Sequence, residues 1–266
     1  MLKAFQSDFF ILKQYLGYFL TAVDQYSLHS PFIFQFYTNI IQDRRRFYAF
    51  DEIEAIRSSL IHDPRLIEVR DLGTGSRKKV NKKRRVADIA RNSLSKADFS
   101  RLLFRMVLAY KPRNILELGT SLGINASYLA KADSRITVTT LEGCPEISRI
   151  AQDNFHQLKL PNIHIITDNI DESLPLIVDK TDYLDFVYFD ANHSLEATFR
   201  YFEQCLKKTS ETSIFIFDDI HLSREMHTAW NLIKENPAVS ISIDLFDAGI
   251  LFFRQGLKKE HYILEF

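Results

Sequence analysis

Residues 114–131 read Asn-Ile-Leu-Glu-Leu-Gly-Thr-Ser-Leu-Gly-Ile-Asn-Ala-Ser-Tyr-Leu-Ala-Lys (NILELGTSLGINASYLAK). Ile115, Leu116 and Leu118 make a short apolar run. Glu117, Gly119, Thr120, Ser121 and Gly123 follow or interrupt it, and a helical pattern begins with Ile124, Tyr128 and Leu129. The order is that of a buried strand, a glycine turn, and a helix whose N-terminus faces the turn. Glycine serves such a turn by allowing positive φ and the close approach of a bulky ligand to the backbone.

The same alternation continues outward. A helix over 97–110 ends at Lys111-Pro112, ahead of the strand at 114–118. Strands are expected at 135–141, 162–167, 184–190 and 212–217, separated by helices at 123–132, 145–158, a short one to about 179, and 194–208. A helix at 222–236 precedes two strands, 239–246 and 249–254, which pair as a tight hairpin across Asp247-Ala248. Strands alternating with helices predict an α/β, Rossmann-like, seven-stranded and mostly parallel sheet, with helices on both faces and a C-terminal antiparallel hairpin strand. The tail, 256–266, is expected as a further strand or an extended segment.

Residues 1–95 read as a helical N-terminal region, ahead of a ligand-binding domain at 96–266. Helices are expected near 2–22, 31–43 and 51–61, the second opened by Ser30 and Pro31. Phe5, Phe9, Leu12, Leu16 and Phe19 recur at helical spacing and mark an amphipathic first helix, suited to the core or to a partner subunit. Lys3, Asp8, Lys13 and Gln14 interrupt it, so no membrane-spanning run forms, and no small-residue cleavage site follows. Asp71-Leu72-Gly73-Thr74-Gly75 imitates a nucleotide turn. Leu66–Arg70 before it offers only a short, half-exposed strand, and a basic block follows: Arg77, Lys78, Lys79, Lys82, Lys83, Arg84, Arg85. A glycine motif without its strand and helix carries little meaning. The stretch 71–86 is read as a solvated basic segment, a lid-like loop with glycine hinges, or a grip on phosphates.

The formal net charge is zero over 266 residues, which provides no global pull toward nucleic acid or an anionic membrane. Cys144 and Cys205 stand far apart with no CxxC, so neither a zinc site nor a disulfide framework is expected, and the compartment is read as a reducing cytoplasm.

In sheets of this class, ligands bind beyond the carboxyl ends of the strands. Those ends carry Glu117, Glu142-Gly143, Thr167-Asp168-Asn169, Asp190-Ala191-Asn192-His193 and Asp218-Asp219-Ile220-His221. Nearly all are acidic. Glu142 follows the glycine turn by about 20 residues, the spacing at which a carboxylate accepts two ribose hydroxyls. The turn lacks the GxGxxG that holds a pyrophosphate, so the ligand expected is a nucleoside without phosphates, and a cationic one.

Glu117-Leu-Gly-Thr-Ser-Leu-Gly-Ile-Asn-Ala-Ser-Tyr-Leu-Ala resembles the ELGTxxGxSxxxLA signature of class I S-adenosylmethionine-dependent methyltransferases, and is most similar to the catechol and caffeoyl-CoA O-methyltransferase group. The resemblance spans roughly 97–255 and leaves the N-terminal region uncovered. It implies that Glu117, Gly119, Thr120, Ser121, Gly123, Glu142, Asp168 and Asp190 line the cofactor, with Glu142 on the ribose and Asp168 beside the adenine. It implies that Asp190, Asp218 and Asp219 hold a divalent cation; oxygen ligands favour Mg²⁺. Asp219 stands where that group carries Asn. His193 stands where it carries a catalytic lysine, and an imidazole with an ordinary pKa near ~6.5 takes a proton at neutral pH. Asp190 and His193 are thus the catalytic candidates, with His221 as a second base.

The expected activity is O-methylation of a small hydroxylated acceptor, with Mg²⁺ as a candidate assistant and a homodimer through the N-terminal region as a candidate assembly. Two alternatives stand beside it. An RNA methyltransferase would use the 77–85 block, against which the neutral charge and the lack of an RNA-binding motif argue. A non-catalytic nucleoside-binding scaffold would not need every acidic strand end.

Overall fold

The computed structural model describes residues 2–70, 81–256 and 258–266. Its elements in chain order are α1 (Leu2–Thr21), α2 (Pro31–Phe36), α3 (Tyr48–Ile61), β1 (Leu66–Arg70), β2 (Asn81–Arg85), α4 (Val86–Ser93) and α5 (Ala97–Tyr110). There follow β3 (Asn114–Leu118), α6 (Ile124–Ala132), β4 (Thr137–Glu142), α7 (Pro145–Gln157), β5 (Ile163–Thr167) and α8 (Ile170–Lys180). The chain closes with β6 (Phe186–Phe189), α9 (Leu195–Leu206), β7 (Ile214–Asp218), α10 (Arg224–Lys234), β8 (Ile241–Asp244), β9 (Ala248–Phe252) and β10 (Glu260–Ile263). This is the expected α/β, Rossmann-like alternation. The chain divides into two compact units, Asp43–Asp179 and Met1–Gln42 with Lys180–Phe266. The N-terminal 95 residues are therefore shared between them.

In the unit Asp43–Asp179, β3, β4 and β5 pair in parallel, with Glu117 opposite Thr140 and Glu142 opposite Thr167. Ile115, Leu116 and Leu118 are buried, as a parallel strand covered on both faces requires. The core is completed by Leu102, Leu103, Met106 and Val107 of α5 and by Tyr128 and Leu129 of α6. β1 and β2 form a separate antiparallel pair, with Leu66 opposite Arg85. The Asp71–Gly75 motif and Arg77, Lys78 and Lys79 lie outside the described residues. The rest of the expected lid is a strand: Lys82, Lys83, Arg84 and Arg85 are all exposed on β2, and Val86 opens α4. Exposed lysines and arginines keep so short a strand from recruiting further strands.

In the other unit the strand order is β10-β8-β9-β7-β6. β6 and β7 are parallel, as are β8 and β10, while β9 runs antiparallel to both of its neighbours. The expected hairpin is present, but its turn is Leu245–Asp247, with Phe246 at φ 67°, rather than Asp247-Ala248. The tail adds β10 beyond the seven strands expected. Phe189, Phe215 and Phe217 are core, and Phe189 and Phe217 stack at 4.2 Å. Ser194 and Ser223 cap α9 and α10 by accepting bonds from the Ala197 and Met226 amides. Ser30 holds the cap position of α2 without a capping bond.

Trp230 on α10 is buried, and its ring lies over Gly249 of β9. A Cβ at Gly249 would sit 2.5 Å from Cη2 and Cζ3 of the indole. Overpacking of this kind costs about 1–3 kcal/mol. Gly249→Ala is therefore expected to lower the unfolding free energy by that amount, seen as a lower urea midpoint at unchanged m-value. Wild-type stability in the variant would show that the indole is free to shift.

α1 lies on its own unit through one face. The Tyr18 hydroxyl donates to the Leu264 carbonyl at 2.6 Å, Tyr15 meets Phe246 edge-on at 5.1 Å, and Phe10 meets His227 at 6.0 Å. No helix among the described residues is long and apolar enough to cross a membrane.

Candidate active site

The turn after β3 is built on left-handed backbone: Gly119 at φ 98°, Ser121 at 48° and Gly123 at 80°. Gly123 meets both demands on a glycine, because a Cβ there would also lie 2.6 Å from Cε1 of Phe155. Asn154 on α7 pins the turn by donating to the Leu122 carbonyl at 2.9 Å.

Two carboxyl groups border this turn. Glu117 is completely buried; its Oε2 accepts from the Thr140 hydroxyl, which also pairs with that of Thr120 at 2.6 Å. Its Oε1 has no hydrogen-bond partner. Burial, aided by the Glu142 charge and opposed by the Thr140 bond, pushes the Glu117 carboxyl up to about 8. Glu142 ends β4 and accepts from the Ser121 amide at Oε2 and the Cys144 amide at Oε1, both at 2.9 Å. Burial raises its pKa against the pull of those amides. A buried acid with an orphaned oxygen is a costly arrangement without a cation or a donor to meet it. The sulfonium and ammonium groups and the ribose hydroxyls of S-adenosylmethionine have the matching chemistry, so the residues fit that cofactor. Asp168 is exposed beyond β5, where its carboxylate accepts from the Asn169 amide at 2.7 Å.

Asp190, His193, Asp218 and Asp219 come together in the other unit. Tyr188 of β6, fully buried, directs its hydroxyl at Asp218 Oδ2 (2.6 Å) and Asp190 Oδ2 (3.2 Å). Burial and the neighbouring Asp219 charge raise the Asp218 carboxyl to about 7, against the Tyr188 bond. Asp219 has φ 57°; burial raises its pKa while His193 lowers it. His193 Nε2 lies 3.6 Å from Asp190 Oδ1 and 3.8 Å from Asp219 Oδ2. Asn192 reaches the Tyr201 hydroxyl at 3.3 Å.

These side chains do not fit the expected divalent ion as they stand. Among the described residues no three Asp, Glu, His or Cys side chains form a metal-holding group. The Tyr188 hydroxyl lies within hydrogen-bond reach of both Asp190 and Asp218. His221, the second candidate base, is engaged elsewhere: Nε2 with Asp244 at 2.8 Å and Nδ1 with His227 at 3.1 Å.

Sequence reasoning missed Thr140, Tyr188 and Asn125. Asn125 joins α6 to Ser95 and Ser100 at 2.8 and 2.7 Å. A signal existed for Tyr188: two residues before Asp190 on a strand, it shares that residue's face. Thr140 is the cross-strand partner of Glu117.

Residues 116–220 match a family described as a methyltransferase domain. No curated protein matches the sequence. Among solved structures, the fold is similar to an O-methyltransferase from Bacillus cereus in complex with S-adenosylhomocysteine, at 20% identity and TM-score 0.57, over 78% of this chain and 91% of that one. It is similar to the S-adenosylhomocysteine-bound methyltransferase of Podospora anserina, at 13% identity and TM-score 0.60, over 86% of this chain and 97% of that one. An O-methyltransferase of tomaymycin synthesis from Streptomyces achromogenes, in complex with S-adenosylmethionine, matches at 17% identity and TM-score 0.53, over 61% and 82%. Residues 116–220 thus match a methyltransferase-domain family, and the chain shares the fold of solved O-methyltransferases.

Proposed function

We propose that the protein transfers a methyl group from S-adenosylmethionine to a hydroxyl of a small acceptor. The observation that carries this reading is the buried, unpartnered Oε1 of Glu117 beside a glycine turn whose Ser121 amide is held by Glu142. Glu117, Gly119, Thr120, Ser121 and Gly123 would hold the methionine and ribose end, Glu142 the ribose hydroxyls, and Asp168 the adenine side. The cofactor supplies a methyl group on a sulfonium.

His193 is the proposed base. Its imidazole takes the proton of the acceptor hydroxyl as the oxygen–carbon bond forms and the carbon–sulfur bond breaks, leaving S-adenosylhomocysteine. Asp190 and Asp219, at 3.6 and 3.8 Å from Nε2, stabilise the imidazolium that results. Asp218, its carboxyl raised to about 7 and bonded by Tyr188, positions Asp190. A cytoplasmic location belongs to the same reading, with Cys144 and Cys205 both buried.

The test is transfer from labelled S-adenosylmethionine to a panel of catechols and other small phenols and alcohols, with and without chelator. Transfer that persists in chelator is expected. Loss restored by Mg²⁺ would return a metal to Asp190, Asp218 and Asp219. His193→Ala is expected to lower turnover about 100-fold while leaving S-adenosylhomocysteine affinity within threefold, roughly the worth of a general base. Undiminished turnover in that variant would assign the proton to another group.

A further inference from the structure

The outer face of α1 is apolar and uncovered. Phe9, Leu12, Leu16 and Phe19 are 64%, 54%, 52% and 68% exposed, and Leu20 beside them is 79% exposed. Their spacing is three, four, three, the seam of a heptad repeat, and the sequence extends it back to Phe5 and Leu2. α1 cannot turn this seam inward, because its opposite face is held by Tyr18 on the Leu264 carbonyl and by Phe10 on His227. A continuous apolar stripe of this kind on a surface marks an interaction site.

We propose that this seam pairs with the same seam of a second copy of the chain, as a short parallel two-stranded coiled coil. The inference stands apart from the methyl-transfer reading. With Phe9 and Leu16 at the first core position and Leu12 and Phe19 at the second, Asp8 and Tyr15 fall at the flanking position before the seam. Lys13 and Leu20 fall at the flanking position after it. In a parallel pair, each residue before the seam lies beside the partner residue five positions on. Asp8 then meets the partner's Lys13, and the exposed half of Tyr15, whose ring also meets Phe246 of its own chain edge-on, meets the partner's Leu20. All four are exposed. One match is of opposite charge and the other is apolar, and each occurs twice by symmetry. An antiparallel pair centred on the described seam would instead set Lys13 against its own copy. Charge complementarity therefore selects both the occupant and the orientation.

The extent is adequate. Four seam side chains with Tyr15 and Leu20 offer on the order of 500 Å² per copy, roughly 1,000 Å² in total, at the lower limit of specific interfaces. A membrane surface is a poorer occupant, since Asp8 cancels Lys13 on the flanks where a membrane-lying helix carries several cations.

Sedimentation of the full chain is expected to show a dimer at micromolar concentration and a monomer for Leu16→Glu, with unchanged circular dichroism. Asp8→Lys and Lys13→Asp are each expected to weaken the dimer about three- to tenfold, and the double reversal to restore it. Leu16→Cys is expected to form a disulfide-linked dimer in air, because parallel seams place residue 16 opposite itself; Cys144 and Cys205 are buried and give no background. A wild-type monomer at tens of micromolar would overturn the proposal. So would a double reversal weaker than either single variant, or a monomer that cosediments with anionic phosphatidylglycerol vesicles.

Discussion

Glu142→Ala is expected to weaken S-adenosylhomocysteine binding by about 100-fold. Two charge-assisted hydrogen bonds to ribose hydroxyls are worth about 1.5–3 kcal/mol each, and about 1.4 kcal/mol corresponds to tenfold. The carboxylate also holds the glycine turn in shape, since Oε2 accepts from Ser121 and Oε1 from Cys144. Its removal therefore loosens the cradle as well as deleting the contact. A urea titration of the same variant separates these effects: one lost anchor lowers stability by about 1–2 kcal/mol, less than the loss in binding. Affinity within tenfold of wild type would take the ribose away from Glu142.

Glu117→Gln is expected to move stability and binding in opposite directions. The ordinary glutamate value is 4.5, and in the folded chain burial pushes Glu117 up to about 8. Below pH 4.5 the group is protonated folded or unfolded and costs nothing. As pH rises from there toward 8, the unfolded chain releases the proton while the folded chain retains it, so stability falls, by about 1.4 kcal/mol per pH unit from this group. By neutral pH the loss is on the order of 3 kcal/mol. Asp218 and Glu142, also raised, contribute with the same sign but are common to both proteins. The difference between Glu117→Gln and wild type should therefore open from acid pH to pH 8 in favour of the variant. Affinity for S-adenosylmethionine should fall at least about tenfold, because a neutral amide replaces the acid that meets its cationic end. A variant that is no more stable at pH 8 than at pH 5, relative to wild type, would mean that Glu117 is ionised in the folded chain without its ligand.

The glycine turn was legible in the sequence because its physics is local. A parallel strand covered on both faces is rich in apolar residues, here Ile115, Leu116 and Leu118 around Glu117, and left-handed backbone at Gly119 and Gly123 has one favoured residue. Strand ends were legible for the same reason, and with them the acidic side chains they carry. What the sequence concealed was pairing at a distance. Thr140 reads as a strand threonine until register sets it against Glu117. Tyr188 reads as another core aromatic until Asp218 arrives from the next strand to accept its hydroxyl. Asp190, Asp218 and Asp219 implied a metal site; Tyr188 lies against two of them, and among the described residues no metal-holding group forms. The stretch 71–86 reads in the sequence as a solvated basic segment, a lid-like loop or a grip on phosphates, and Asn-Lys-Lys-Arg-Arg has little strand propensity; the partner strand β1 overrides that preference at 81–85. The tail, expected as a further strand or an extended segment, is the strand Glu260–Ile263, because β8 leaves an open edge for it.

The central claim is that the turn between β3 and α6 binds S-adenosylmethionine through Glu117 and Glu142. Calorimetric titration of the wild-type chain with S-adenosylhomocysteine tests it most directly. The account predicts one saturable site per chain with micromolar affinity, unaffected by chelator. A cooperatively folded protein that gives no saturable heat up to about 1 mM ligand would contradict it.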